Sequence, residues 1–284
     1  MIPDAEGVQF LQWCLPRLHL DWQGFRKVRR QVHKRITRRM QELGLPSVAA
    51  YRVYLEDHPG EWPMLDTLCR IGLSRFYRDR SVFQHLEYEI LPHLAQLLMG
   101  HGESEIHCWS AGCAGGEEPY TLAIIWQHCL AMQFPTLRLQ IIATDISPLA
   151  IHRAERGCYR ASSMKELPNE WLSEAFFTGA NELCLKDEYR ASVTYRVQDI
   201  REQSPEGPFH FILCRNLVFT YFDKAMQRKT MQSLTDKLSP GGALIIGKLE
   251  SLPDGPWGIQ PWSIRLGVYR KPLDIQREGS GQFF

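Results

Sequence analysis

The stretch CWSAGCAGGEEPYTLAIIWQHCLAM, residues 108–132, decides the fold. Its apolar start enters a turn that contains Gly112, Gly115 and Gly116, and a helical pattern follows from Glu117. Glycine permits the tight turn and close backbone approach that such a strand-to-helix connection requires. A buried strand, a glycine-rich turn and a helix form the first part of a βαβ unit, so the stretch predicts an α/β fold.

The alternation of short apolar runs and amphipathic stretches continues along the chain. We predict strands at 106–112, 139–146, 193–200, 209–216 and 242–248, an edge strand at 263–271, and helices at 117–132, 147–157 and 223–239. Ser147 and Asp223 are predicted N-caps, and Pro240-Gly241-Gly242 is the predicted stop of the last helix. The order predicts a doubly wound, Rossmann-like parallel sheet, interrupted between Tyr159 and Val193 by a small antiparallel β-subdomain.

A helical block is predicted ahead of this series, at residues 8–72. Apolar side chains recur at helical spacing along residues 25–40, and Gly44 and Pro46 predict the stop; the apolar set is Phe25, Val28, Val32, Ile36 and Met40. Residues 26–39 hold eight Lys or Arg and no acid, too many for ion pairs within the helix to neutralise. Two interpretations are equally open: a solvated face packed on neighbouring helices, or a surface for an acidic partner, protein or nucleic acid.

Length, composition and cysteine usage bound the class of protein. The 284 residues are 44% hydrophobic and 23% charged, and no apolar run approaches the roughly 18–20 residues of a membrane span. The N-terminus lacks the layout of a signal peptide, so we expect a cytoplasmic protein without direct membrane insertion. We also expect it to be a monomer. Eight cysteines without a CxxC pair argue against a disulfide scaffold or a zinc site, and no metal is expected.

The predicted domain organisation follows from these patterns. It consists of a basic helical domain at 1–75 with a linker to about 103, an α/β domain at 104–273 with the β-subdomain inserted at about 159–192, and a loose tail at 274–284.

Ligands of an open α/β sheet bind beyond the carboxyl ends of the strands, so the residues there predict the chemistry. The first turn lacks the GxGxxG pattern, and the Glu117-Glu118 pair would repel a pyrophosphate but suits an amine. Asp145, at the end of the second strand, can accept ribose hydroxyls, and Asp199, at the end of the third, can hold an adenine amino group. An amine, a ribose and an adenine without phosphate describe S-adenosylmethionine.

Several segments resemble the CheR-type chemotaxis receptor methyltransferases, over roughly residues 8–271. They are RRQVHKRITRRMQELGLPS and LSRFYRD in the first part of the chain, and CWSAGCAGGEEPYTLA, ATDISPLAIHRAERGCY, CRNLVFTYFD and LSPGGALIIGKLESL in the second. The GEEPY and CRNxxxxYF elements are specific to that family. The resemblance implies a class I S-adenosylmethionine-dependent methyltransferase domain behind a small all-helical domain.

The resemblance also implies a function: methyl transfer from S-adenosylmethionine to glutamate side chains on the cytoplasmic helices of chemoreceptors, with S-adenosylhomocysteine as product. It assigns cofactor binding to Ser74, Arg78, Gly112, Glu117, Asp145, Asp199, Ile200, Asn216 and Leu217. It assigns catalytic orientation to Arg78 and Tyr221. The basic helix then has an acidic partner, because Arg29, Arg30, Arg38 and Arg39 would steer a glutamate-rich receptor helix to the site.

Three departures from the family pattern leave alternatives open. Gly72 replaces an asparagine, Lys248 stands in a stretch that is commonly Gly-His-Ser-Glu, and the insert at 177–193 is short and lacks a glycine-rich turn. The short insert predicts that the protein does not dock on a receptor tether peptide. The alternatives are a related catalyst for another protein or small-molecule carboxylate, a nucleic-acid methyltransferase, which the acids near the turn disfavour, and a non-catalytic cofactor-binding module.

Overall fold

The computed structural model describes residues 2–179 and 181–273; the tail expected at 274–284 lies outside these residues. The helices are α1 (Asp4–Cys14), α2 (Trp22–Phe25), α3 (Arg29–Glu42), α4 (Val48–Asp57), α5 (Trp62–Cys69), α6 (Arg80–His85), α7 (Leu91–Gly100), α8 (Glu117–Ile125), α9 (Pro148–Arg156), α10 (Asn169–Ala175), α11 (Asp187–Arg190), α12 (Val218–Tyr221) and α13 (Lys224–Lys237). The strands are β1 (Glu105–Ala111), β2 (Arg138–Asp145), β3 (Cys158–Tyr159), β4 (Phe176–Thr178), β5 (Leu183–Leu185), β6 (Val193–Val197), β7 (Phe209–Cys214), β8 (Leu238–Ile246), β9 (Gln260–Ser263) and β10 (Val268–Arg270).

A seven-stranded sheet carries the α/β part, in the order β6-β2-β1-β7-β8-β10-β9. The pairs from β6 to β8 are parallel, and β10 is antiparallel to both β8 and β9. The predicted doubly wound sheet is confirmed. The edge assignment is wrong in detail, since β10 lies inside the sheet and β9 forms its edge.

The buried strands and their helices follow the sequence pattern closely. All six residues of β7 are buried, as a strand covered on both faces requires. The Ser147 hydroxyl accepts a hydrogen bond from the amide of Ala150, which confirms the predicted N-cap of α9. Helix α13 ends at Lys237 and β8 begins at Leu238, so the predicted stop at 240–242 lies inside the strand instead of before it.

The insert forms a separate three-stranded antiparallel sheet in the order β3-β5-β4. Strands β4 and β5 are the expected hairpin, and β3 adds a third strand through pairing with β5. Cys158 and Cys184 face each other in the β3–β5 register and form a disulfide. A single disulfide in this sheet was not expected from the cysteine spacing, because the two residues are 26 positions apart and are paired only by the fold.

The described residues divide into two compact units, one of residues 2–73 with 216–230 and one of residues 74–179 and 181–215 with 231–273. The sequence-based division placed the whole of 104–273 in one domain, whereas segment 216–230 belongs to the first unit. Within that unit, Asp21 donates its amide to the carbonyl of Tyr221, and Leu20 forms an isolated β-bridge with Phe222. These contacts are long-range, so the local pattern of 216–230 did not predict them.

Helix α3 buries the apolar face that its spacing predicts, with Val32, Ile36 and Met40 in the core of the first unit. It starts at Arg29 rather than at residue 25, because residues 22–25 form the separate helix α2. Gly44, just after the helix, has φ of +67°, a left-handed conformation that glycine adopts readily and that ends the helix. No helix among the described residues is long and apolar enough to span a membrane.

Candidate active site

Four adjacent strands of the large sheet, β6, β2, β1 and β7, end at the same edge. Asp199, Asp145, Gly112 and Arg215 follow or close these strands in that order along the edge. The strand order reverses between β1 and β7, which is the point where open α/β sheets bind ligands. The structure therefore brings three of the predicted residues, Gly112, Asp145 and Asp199, to one edge.

The turn after β1 is shaped by backbone conformations that favour glycine. Gly112 has φ of +79° and Gly116 has φ of +89°. A Cβ atom at Gly116 would lie 2.7 Å from the Tyr195 hydroxyl oxygen, so a larger residue would displace its neighbours. The Tyr159 hydroxyl, on β3, donates a 2.7 Å hydrogen bond to the carbonyl of Gly115 and so fixes the turn from the β-subdomain.

Glu117, the first residue of α8, is fully buried. Its Oε1 atom pairs with Nη2 of Arg153 on α9, whereas Oε2 is buried without a hydrogen-bond partner among the described residues. Burial raises the pKa of the Glu117 carboxyl, and the nearby Arg153 and Ser74 partly offset that effect. A buried carboxylate oxygen without a partner costs free energy until a donor reaches it, so this atom points to a cationic or amine ligand.

The other two acids of the edge are held by hydrogen bonds. Asp145 accepts the amide of Ala114 at Oδ2 and the amide of Ser147 at Oδ1, each at 2.9 Å. Asp199 accepts a forked pair of bonds from the guanidinium of Arg201, the shortest at 2.8 Å. Both carboxylates are thus fixed in place. The half-buried Ile200 follows Asp199 directly.

The segment with Arg78 is also conformationally constrained. Its neighbours Tyr77 and Asp79 have φ of +58° and +64°, a left-handed conformation that residues other than glycine rarely adopt. The Tyr77 amide donates to the Thr121 hydroxyl at 3.1 Å, and the Arg78 carbonyl accepts from Nη2 of Arg215 at 2.9 Å. Non-glycine residues held this way cluster at functional sites, which supports a functional position for Arg78.

Arg215 joins this segment to the start of α8. Its guanidinium donates from Nη1 to Glu118 Oε2 at 3.0 Å and from Nη2 to Asp79 Oδ2 at 2.7 Å, and its side chain is only 3% exposed. The Ser110 hydroxyl donates to the other oxygen of Glu118 at 2.8 Å. The sequence argument counted Glu117 and Glu118 as two carboxylates that would repel a pyrophosphate; in the structure an arginine pairs with each of them.

Asn216, Leu217 and Tyr221 belong to the first unit. Asn216 has φ of +55°, and Leu217 precedes α12, which ends at Tyr221. The Tyr221 ring packs edge-on against Phe25 with centroids 5.1 Å apart. The cofactor and catalytic roles of these residues stay predictions.

The predicted substrate-binding arginines of α3 differ in their surroundings. Arg39 forms two 2.8 Å hydrogen bonds with Glu61, and Arg29 pairs with Asp4 at 3.0 Å. Arg30 and Arg38 are exposed, and Arg38 contacts Glu42 at 3.3 Å. Acids outside α3 thus neutralise part of the positive charge that residues within the helix do not neutralise. The exposed Arg30 and Arg38 are better placed than Arg29 and Arg39 to contact a partner.

Sequence reasoning assigned no role to three residues that shape the site, Arg153, Tyr159 and Arg215, although Arg215 was placed at the end of a predicted strand. The partners of Arg153 and Arg215 lie 36 and 97 residues away in the chain, and the carbonyl bound by Tyr159 lies 44 residues away. A local pattern carries no signal for such pairs. Of the three, only Arg215 could have been predicted to form a buried ion pair, because it directly follows an apolar strand and a buried arginine requires an acidic partner.

The residues at this edge fit S-adenosylmethionine. The unpartnered oxygen of Glu117 suits the methionine amine, and Asp145 lies at the end of β2 where a ribose is expected. No group of three or more His, Cys, Asp or Glu side chains able to hold a metal ion occurs within residues 2–179 and 181–273.

The comparisons with known proteins agree with this assignment. Residues 72–263 match the family "CheR methyltransferase, SAM binding domain", and residues 27–65 match "CheR methyltransferase, all-alpha domain". The fold and the cofactor thus define a class I S-adenosylmethionine-dependent methyltransferase with an all-helical N-terminal domain. The chain belongs to the CheR methyltransferase family.

Three relatives illustrate the similarity. The chemotaxis protein methyltransferase of Listeria innocua is 33% identical over 186 residues, which cover 66% of this chain and 68% of that protein. The probable chemotaxis protein methyltransferase of Rhizobium etli is 30% identical over 226 residues, covering 77% and 83%. The chemotaxis protein methyltransferase of Salmonella typhimurium is 32% identical over 232 residues, covering 78% and 76%.

Proposed function

We propose that this chain methylates glutamate side chains on the cytoplasmic helices of chemoreceptors. The products are glutamate methyl esters and S-adenosylhomocysteine, and the reaction serves chemosensory adaptation. The family match supports methyl transfer, and the names of the relatives support a role in chemotaxis. A receptor's cytoplasmic helices as substrate also favour a cytoplasmic enzyme.

The observation that carries the proposal is the buried Glu117 carboxylate with its unpartnered oxygen. We assign this oxygen to the methionine amine of the cofactor, with Ser74 beside it. Asp145 would hold the ribose, and Asp199 with Ile200 the adenine. S-Adenosylmethionine supplies an activated methyl group on a sulfonium.

The substrate requires little chemical activation. A glutamate with a pKa of about 4.3 is ionised at neutral pH, so no general base is needed to form the nucleophile. A carboxylate and a sulfonium cancel charge as they react, and a site with little water favours that change. The protein's task is therefore to bind and orient, which explains why few catalytic side chains are required.

Arg78 and Tyr221 are the proposed orienting residues. The guanidinium of Arg78 can form a forked pair of hydrogen bonds with a carboxylate, and its backbone is held by Arg215. The Tyr221 hydroxyl can donate one hydrogen bond. We further propose that no receptor tether peptide is needed, because the β4–β5 hairpin is short, with strands of three residues each.

The test is methyl transfer from labelled S-adenosylmethionine to a purified receptor cytoplasmic fragment without a tether. We expect counts that mild alkali releases as methanol, the behaviour of a carboxyl methyl ester. Arg78→Ala should abolish these counts, whereas binding of S-adenosylmethionine, measured by calorimetry, should weaken but remain detectable, because Glu117 and Asp145 are unchanged. Arg138→Ala is the matched control, since this exposed arginine starts β2 at the opposite end of the strand from Asp145.

Two other results would change the assignment. Cofactor binding without methyl esters on any receptor fragment would favour a carboxylate on another protein or a small molecule. Lys248, exposed after β8, is the feature that favours this second function, because it adds a cation to the edge where the substrate is expected. Absence of cofactor binding would contradict the enzyme assignment.

A further inference from the structure

A cavity of about 410 Å³ lies beside the segment that carries Arg78. Its lining, which we call the basic cavity, consists of Arg80, Lys165, Glu166, Leu167, Pro168 and Asn169. The cavity lies wholly within the second unit and shares no residue with the predicted cofactor edge.

The charge of the basic cavity is positive. Glu166 pairs with Arg75 at 3.3 Å, so its negative charge is compensated. Arg80 and Lys165 are exposed, and neither forms an ion pair with a described residue. Asn169 adds an amide that can donate a hydrogen bond. The cavity therefore offers cations and a neutral donor to an anionic group.

The two walls of the basic cavity are tied together by backbone and aromatic contacts. The amide of Phe76 donates to the carbonyl of Ser163 at 3.0 Å, which joins the segment before Arg80 to the turn before Lys165. The Phe76 ring packs edge-on against Tyr159 with centroids 4.9 Å apart. Because these contacts already order the backbone around the cavity, its residues lose little conformational entropy when a ligand binds.

Its position relative to Arg78 matches the spacing of a helical substrate. Arg80 follows Arg78 by two residues, so their Cα atoms are at most roughly 7 Å apart. Residues one turn apart on a helix are separated by about 6 Å along the axis. A carboxylate one turn from a glutamate held by Arg78 would thus reach the basic cavity.

We propose that the basic cavity binds a second acidic side chain of the substrate helix, one turn from the glutamate to be methylated. This inference rests on the proposed function for the identity of the substrate, a glutamate-rich protein helix. The cavity then selects which glutamates are methylated, because a target without an acidic neighbour one turn away binds more weakly.

The test uses the full chain and a fluorescent helical receptor peptide whose target glutamate is replaced by glutamine, so that binding is measured without turnover. We expect the double variant Arg80→Ala with Lys165→Ala to raise the peptide Kd about tenfold or more, with unchanged affinity for S-adenosylmethionine. Glutamine in place of the neighbouring acid should raise the wild-type Kd by a similar factor, and the double variant should then add little. Arg138→Ala should leave the peptide Kd unchanged.

The outcomes separate this inference from the proposed function. Weakened peptide binding in the double variant, with no methyl ester formed by the wild type, would support the basic cavity and contradict the proposed function. Methyl esters formed with an unchanged KM in the double variant would overturn the cavity and leave the function standing. Failure of the wild type to bind the peptide would also overturn the inference. So would displacement of the peptide by inorganic phosphate with an inhibition constant equal to the peptide Kd.

Discussion

Replacement of Arg215 by methionine should both destabilise the protein and slow methyl transfer. The substitution keeps much of the side-chain volume but removes the guanidinium that bonds to Glu118, Asp79 and the Arg78 carbonyl. Glu118 is only 14% exposed, so it would remain as a nearly buried charge without its cation. Breaking a buried ion pair by removing one partner costs about 3–5 kcal/mol.

This cost is large against the stability of a typical domain, which is about 5–15 kcal/mol. At about 2–4 °C per kcal/mol for a domain of this size, the midpoint of thermal unfolding should fall by roughly 10 °C. Methyl transfer below that temperature should fall mainly in kcat, because the Arg78 backbone loses its anchor while Glu117 and Asp145, the residues proposed to bind the cofactor, keep their own hydrogen bonds. A displacement of about 1 Å at a reacting group can cost roughly a hundredfold in rate.

The assays are urea or thermal unfolding by circular dichroism and steady-state methyl transfer. Arg215→Lys should lose less stability, because it keeps a positive charge but not the fork. Adding Glu118→Gln to Arg215→Met should recover part of the loss, since the uncompensated charge is removed. An Arg215→Met protein that unfolds like the Arg138→Met control and keeps its kcat would refute the reasoning.

Three further predictions concern other parts of the chain. Glu117→Gln should raise the Kd for S-adenosylmethionine about 10- to 100-fold in calorimetry, because a charge-assisted hydrogen bond is lost. Burial raises the pKa of Glu117, so the wild-type Kd should also rise as the pH falls toward that raised pKa, and the variant should lack this pH dependence. Charge reversal at Arg30 and Arg38 should raise the KM for the receptor fragment, more so at low salt, without changing the cofactor Kd; unchanged kinetics would remove α3 from the substrate surface. The Cys158–Cys184 disulfide spans 26 residues, and its reduction should lower the free energy of unfolding by up to about 3.5 kcal/mol from chain entropy. The measurement is urea unfolding with and without dithiothreitol. A variant with both cysteines replaced by serine should not respond to dithiothreitol, and a response equal to that of the wild type would contradict this prediction.

The sequence predicts the sheet well because burial on both faces leaves a plain signal. Strand β7 is apolar apart from His210, all of its residues are buried, and the glycines at 112, 115 and 116 mark the turn that the fold requires. The edge of the sheet is less predictable. Strand β9 at 260–263 is mostly exposed and polar or aromatic, so its pairing with β10 leaves little hydrophobic pattern.

Long-range pairing accounts for most of what the sequence did not reveal. The disulfide joins two cysteines that look like ordinary small apolar residues, and the register of β3 with β5 alone brings them together. Within segment 216–230 the sequence predicted the helix from residue 223 but not α12, and the packing of the segment on residues 20–25 depends on backbone contacts such as the close approach of Gly24 to the Thr220 carbonyl. Neither feature has a local cause.

The adjacent acids Glu117 and Glu118 differ in the partners that the fold supplies to each of them. Counted along the sequence they are two negative charges at a helix start, which favours an amine over a phosphate. In the fold each has an arginine, Arg153 for one and Arg215 for the other, so the charge count is cancelled. What distinguishes them is hydrogen bonding: both oxygens of Glu118 are bonded, whereas Oε2 of Glu117 is not. The preference for an amine therefore rests on one unpartnered acceptor atom and not on net charge. In the proposed function that atom assigns Glu117 to the ligand, whereas Glu118 bonds to Arg215, which holds the Arg78 carbonyl.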